Sequence, residues 1–257
     1  MPEDVWNVEQ YERFAAEREA PVHDLLKLFQ PAPVEHAVDL GCGTGAPTVL
    51  LHRHIGSRDT LGLDSSESML AKAAALAIPG LRFERRDIES FSATAAFDVV
   101  FSNAALHWVG DHESLFEKLR ASLRPGGQLL VQMPTNFDHP SHTVAKALAE
   151  QEPYAQHLQG QASRAFVHPS AQYAQWLFDL GFAQQHVSER VYAHVLPNAD
   201  AVVEWVRGTL FTDVEKRLPP ALFLKFEDDY RRDLHAALAE KSPYLFTFKR
   251  LLLWARV

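Results

Sequence analysis

The stretch Asp39-Leu40-Gly41-Cys42-Gly43-Thr44-Gly45 constrains this chain more than any other, because an apolar run ends on a carboxylate and then breaks into glycines at every second position. The pattern predicts a strand, a tight turn and the start of a helix. Glycines at 41, 43 and 45 permit positive φ and let a ligand approach the backbone to contact distance. Turns of this kind serve two classes of nucleotide-like ligand. Gly41, Gly43 and Ala46 satisfy the G-x-G-x-x-G/A fingerprint of dinucleotide sites. Asp39, however, would repel a pyrophosphate: two unit charges about 4 Å apart interact by roughly 4 kcal/mol at an effective dielectric near 20. Pro47 also removes an N–H from the first turn of the following helix, where a pyrophosphate would seek donors. Both features favour a zwitterionic ligand bearing an ammonium group.

The rest of the chain reads as an α/β protein. Tyr11, Phe14 and Arg18 share one helical face, and Val22, Leu25, Leu26 and Phe29 continue an apolar stripe, so residues 1–30 are expected to form a helical arm. Strands alternate with helical patterns from residue 37 to 133, which predicts a doubly wound, parallel, Rossmann-like sheet over a core at 34–135. The second strand ends on Asp64, where an acid can accept hydrogen bonds from ribose hydroxyls. Ser65 or Ser66 caps the next helix, which turns Met69 and Leu70 inward. The third strand, Leu81–Arg85, is closed by Asp87-Ile88, and the fourth leads into Asn103, His107 and Trp108. Strand C-termini at the switch point of an open sheet are where ligands bind. From 141 to 242 helical segments broken by prolines predict a cap inserted after the fifth strand. It includes one core strand near 184–195, and 245–257 returns as a terminal strand, all within one domain spanning 1–257.

Composition narrows the function classes. With 47% hydrophobic residues and a net charge of −8, the 257-residue chain supports one sizeable core and no general basic field for nucleic acid. The single cysteine, Cys42, excludes disulfides within the chain. No basic, apolar leader and no membrane-length apolar run is evident, so the expected setting is the cytoplasm, without membrane attachment. Thirteen histidines show no ligand spacing, so no metal is expected. The oligomeric state is left open.

D-x-G-x-G-x-G after a strand resembles the glycine motif of the Rossmann-like S-adenosylmethionine-dependent methyltransferases. Trp6-Asn7, Tyr11, Phe14, Glu17-Arg18 and Pro21, followed by G-L-D-S-S, R-D-I, N-A-A-L-H-W, V-Q-M-P and E-W-V-R-G-T, together resemble the trans-aconitate 2-methyltransferase family from about residue 6 onward. The chain departs from that pattern at Thr44, His107 and Leu210-Phe211-Thr212. The resemblance implies methylation of a trans-aconitate carboxylate to a monomethyl ester, with S-adenosyl-L-methionine as cofactor and a small polycarboxylate as partner. It implies a cofactor set of Tyr11, Asp39, Gly41, Gly43, Gly45, Asp64, Ser65, Met69, Asp87, Ile88 and Asn103, in which Asp87 accepts from the adenine amino group and Ile88 packs on the ring. A carboxylate with a solution pKa near 4 is ionised at neutral pH and needs no general base, so no catalytic residue is expected. A polyanion needs local cations. Arg18 and Arg207 are the first choices, Arg164 a weaker one, with Trp6, His107, Trp108 and Tyr192 as neutral contacts. A methyltransferase for another carboxylate, such as malonyl carrier protein, and a nicotinamide-dependent oxidoreductase stay open as alternatives.

Overall fold

The computed structural model describes residues 15–208, 210–239 and 241–257, with the side chains of 15–18 undescribed. Seven strands form one sheet: β1 (His36–Leu40), β2 (Asp59–Asp64), β3 (Leu81–Arg85), β4 (Phe97–Asn103), β5 (Leu123–Pro134), β6 (Gln184–Leu196) and β7 (Tyr244–Arg256). Their order is β3-β2-β1-β4-β5-β7-β6. The first five pair in parallel, and β7 joins antiparallel to both β5 and β6. Val99, Val100 and Phe101 are all fully buried. Such a continuous apolar run is what a strand covered on both faces requires.

The helices are α1 (Ala15–Leu26), α2 (Ala46–Ile55), α3 (Glu67–Ala73), α4 (His112–Ser122), α5 (Pro140–Ala149), α6 (Ala155–Leu158), α7 (Ser170–Asp179), α8 (Ala199–Arg207), α9 (Leu210–Arg217) and α10 (Pro220–Leu238). One sheet face packs Leu115, Phe116 and Leu119 of α4 with Tyr173 and Leu177 of α7, and the other packs Val22 and Leu25 of α1 with Leu51 and Ile55 of α2. Gln128 of β5 fastens the segment after α1: its Oε1 accepts from the Gln30 N–H at 2.9 Å and from Trp254 Nε1 at 2.8 Å, and its Nε2 donates to the Gln30 carbonyl at 2.7 Å. A fully buried amide is thereby satisfied.

Arg124-Pro125-Gly126-Gly127, although built of residues that favour a turn, is incorporated into β5, with Gly126 at φ 79. The terminal strand lies inside the sheet, between β5 and β6. Only residues 250–256 of β7 pair with β5, whereas β6 pairs with the whole of 244–256. The other half of β6 and β7 therefore projects as a two-stranded ribbon. It carries Phe246 and Phe248 into a second apolar cluster with Trp205, Phe211, Phe226 and Tyr230 of α8, α9 and α10.

Candidate active site

A cavity of about 380 Å³ opens at the C-terminal ends of β1, β2 and β4, where the strand order reverses. Its floor is the glycine turn. The N–H groups of Gly41 and Cys42 both donate to the Leu63 carbonyl, at 2.8 and 2.9 Å, which ties the turn to β2. Gly41 has φ +77, and a Cβ there would come within 2.2 Å of Ala105 Cβ. Gly43, at φ +54, donates its N–H to Asp64 Oδ2 at 2.8 Å. Gly45 acts differently from its neighbours. It is not among the cavity-lining residues, and a Cβ on it would meet the Phe83 ring at 2.9 Å, so its smallness lets α2 approach β3.

Asp39, at the end of β1, is 1% exposed and lines this cavity. Thr48 Oγ1 donates to its Oδ2 at 2.7 Å, while Oδ1 has no partner among the described residues. Burial pushes its pKa up to about 7 despite the Thr48 hydrogen bond, and the nearby Asp64 charge adds to the rise. Asp64 accepts the Ser66 N–H on Oδ1 at 2.9 Å in addition to Gly43 on Oδ2, so the carboxylate is oriented by backbone donors before any ligand arrives. Ser66 also caps α3 through Met69 N–H at 3.2 Å. Cys42 is a buried thiol whose pKa is raised by burial and by the charges of Asp39 and Asp64, which keeps it protonated and unreactive.

Ser65, Met69, Asp87, Ile88, Asn103 and Trp108 also line this cavity, and α1 closes one side with Glu19 and Val22. Asp87 is braced by the Glu89 N–H at 2.8 Å. After β4 the chain turns sharply at Ala104, φ 55, which brings Ala105 against Gly41. A left-handed alanine costs about 1–2 kcal/mol.

A smaller cavity of about 90 Å³ adjoins the first and shares Asn103, Ala104 and Trp108 with it. His107 lines it, buried, with its ring 4.8 Å from that of Trp108. Burial, then the Arg250 charge, hold the His107 pKa down to about 3, so the imidazole is neutral, and its Nδ1 has no partner among the described residues. Asn103 Oδ1, at the junction of the cavities, is likewise unpartnered among them. His142 on α5, Trp205 on α8, and Phe248 and Arg250 on β7 complete much of the wall.

Sequence reasoning missed these last four residues. The available signal was an arginine in the series Phe246, Phe248, Arg250, Leu252, Trp254, which share one face of an apolar strand. Conversely, three residues expected at the acceptor line neither cavity. Arg207 is drawn into an ion pair with Glu227 of α10, because the helix face that carries it turns toward α10 while its neighbours Trp205 and Val206 face the smaller cavity. Tyr192 lies on the ribbon, and its phenol donates to Asp24 of α1 at 2.9 Å, beside an Arg190–Asp24 ion pair at 2.8 Å. Arg164 sits 3.9 Å from Asp213 and is also absent from the cavity walls. Trp6, Tyr11 and the side chain of Arg18 lie outside what the structure describes. Among the described residues, no His/Cys/Asp/Glu cluster could hold a metal ion, and no helix is long and apolar enough to cross a membrane.

The fold superposes on the YcgJ protein of Bacillus subtilis with a TM-score of 0.61 at 14% identity, covering 93% of this chain and 98% of that one. It also superposes on an S-adenosylmethionine dependent methyltransferase from Mesorhizobium loti, with a TM-score of 0.53 at 21% identity, covering 94% and 98%. A family model described as "Methyltransferase domain" matches residues 37–127. Sheet order and glycine-floored cavity together give the chain the fold of the Rossmann-like methyltransferase class. The chain is 40% identical over 253 residues to the trans-aconitate 2-methyltransferase of Deinococcus radiodurans, covering 96% of each chain. It is 38% identical over 258 residues to that of Methylobacterium nodulans, covering 98% of each. The chain belongs to the trans-aconitate 2-methyltransferase family.

Proposed function

We propose that this protein transfers the methyl group of S-adenosyl-L-methionine to a carboxylate of trans-aconitate, giving a monomethyl ester and S-adenosylhomocysteine. The observation that carries the reading is identity at the level of 40% across 96% of both chains, which spans the core and the helical segment that walls the second cavity.

The residues of the larger cavity suit the cofactor. Asp39 presents a buried carboxylate oxygen without a partner among the described residues, which an ammonium group would satisfy. Gly41 makes room for Ala105, the bare backbone at Gly43, where a Cβ would meet nothing within 4 Å, admits a chain at contact distance, Asp64 is assigned to ribose hydroxyls, and Asp87 with Ile88 to an adenine. Ser65, Met69 and Asn103 complete this set. When bound, the cofactor supplies a methyl group on a positively charged sulfur, which an ionised carboxylate displaces without first losing a proton. The chain therefore needs no general base; His107, neutral and buried, serves as a hydrogen-bonding wall. What the residues contribute is alignment of two reactants in adjoining cavities, an effect that supplies about 7–11 kcal/mol in well-oriented systems.

The test is transfer of label from methyl-labelled S-adenosylmethionine to a panel of trans-aconitate, cis-aconitate, citrate, isocitrate and malonyl carrier protein. Base-labile label chiefly on trans-aconitate is expected. Label confined to malonyl carrier protein, or to none of the acids while the cofactor still binds, would reject the reading.

A further inference from the structure

The smaller cavity has an unusual wall. Its carbon-rich side is made by Phe137, Trp205 and Phe248, while Arg250, 7% exposed, brings a guanidinium to the same space. No Asp or Glu is among the described residues that line it. The guanidinium carbon lies 4.6 Å from the centroid of the Phe248 ring, and one nitrogen donates to Gln132 Oε1 at 3.4 Å, so β5 and β7 both contribute to holding the fork. His107 and His142 stand on the same wall. Burial holds the His142 pKa down to about 4 and that of His107 to about 3. Both imidazoles thus offer N–H groups without charge, and Arg250, which cannot be deprotonated in proteins, supplies the positive charge. A planar guanidinium in a desolvated pocket is the group best matched to a carboxylate, which it can grip through two parallel hydrogen bonds. The shared Asn103, Ala104 and Trp108 boundary means that an acid gripped here can extend toward the larger cavity.

We propose that Arg250 anchors a carboxylate of the acceptor other than the one methylated, making the smaller cavity a carboxylate subsite that selects di- and tricarboxylic acids over monocarboxylic ones. The proposal rests on the carboxyl methyltransferase reading above. In it Arg250 fixes one end of the acid, His107 and His142 flank that end, and the carbon skeleton lies against the aromatic wall.

The test compares wild type, Arg250→Gln and Arg250→Lys with trans-aconitate and with crotonate, a monocarboxylic acid of related unsaturation, while S-adenosylhomocysteine binding is followed by calorimetry. Removing one partner of a buried charged pair corresponds to about 100-fold in affinity. Arg250→Gln is therefore expected to raise KM for trans-aconitate by about that factor, with a smaller change in kcat and with the preference over crotonate reduced. Arg250→Lys keeps the charge, loses the fork and recovers part of the affinity. Unchanged KM for trans-aconitate in both variants would overturn the proposal, as would an equal loss toward both acids together with lost S-adenosylhomocysteine binding, the signature of a purely structural arginine. If Arg250→Gln does not fold, Arg250→Lys carries the test alone: a raised KM with intact S-adenosylhomocysteine binding supports the subsite, and an unchanged KM rejects it. A wild type that methylates none of the acids would overturn the methyltransferase reading and this proposal with it.

Discussion

Replacing Asp39 by asparagine should stabilise the ligand-free protein at alkaline pH while disabling it. In the folded chain the carboxyl titrates near 7, against 3.8 as its ordinary value, with burial as the principal cause. A shift of about 3 units at 1.36 kcal/mol each places roughly 4 kcal/mol against the ionised form. Between pH 4 and 7 the folded state holds more of this proton than the unfolded state, so stability falls as pH rises through that window and levels off above it. The substituted amide carries no charge and escapes the loss. Its carbonyl can still accept from Thr48 Oγ1, but its buried NH₂ sets part of the gain aside, which leaves about 2 kcal/mol at pH 8. For a chain of this size that corresponds to a rise in Tm of about 4 °C. The gain should shrink toward pH 5, where the folded wild type is already protonated at this site. Losing a buried ion pair with the cofactor ammonium should at the same time weaken S-adenosylhomocysteine binding by at least about 30-fold. Thermal unfolding at pH 5 and pH 8, with calorimetry at pH 8, measures both quantities. A variant less stable than wild type at pH 8, or one that binds S-adenosylhomocysteine normally, would refute the reasoning.

Three further outcomes are expected. Gly41→Ala drives a methyl group to 2.2 Å from Ala105 Cβ at φ +77, and strain plus overpacking of about 2–4 kcal/mol should lower Tm and abolish cofactor binding by calorimetry. Arg207→Ala leaves Glu227, a carboxylate 10% exposed, with only the more distant Arg231 at 3.6 Å among its described ion pairs; Tm should fall by the equivalent of about 1 kcal/mol while KM for the acceptor is unchanged in steady-state assays. Tyr192→Phe removes the hydrogen bond to Asp24 and should destabilise by about 1 kcal/mol in urea unfolding, equally with and without ligand.

The parallel half of the sheet was legible because each of its strand–helix–strand units is local in sequence and announces itself by alternating patterns. Asp39 and Gly41 belong to this local class, and their spacing brings them to one cavity wall. Arg250 does not. The wall it shares gathers residues near 103–108, 134–142, 163–165, 205–210 and 248–250, and no spacing rule connects segments so far apart. Arg207 fails for the complementary reason. A helix face shows that an arginine points somewhere, but not that Glu227 on another helix will meet it. The strand at 245–257 was readable as a strand from its composition, whereas its seat between β5 and β6 depends on nonlocal pairing that composition does not encode.

The interior seat of β7 also imposes a timetable on synthesis. The strand that β6 hydrogen-bonds with is β7, whose first residue, Tyr244, follows Leu196, the last of β6, by 48 positions. At about 5–20 residues per second, β6 waits roughly 2–10 s after leaving the ribosome before a partner exists. During that interval it is an unpaired strand carrying Val187, Val191 and Val195, the kind of edge that recruits other chains. Slow translation between residues 197 and 244, or a shortage of chaperone capacity, should therefore reduce the yield of folded protein more than equal delays before β5.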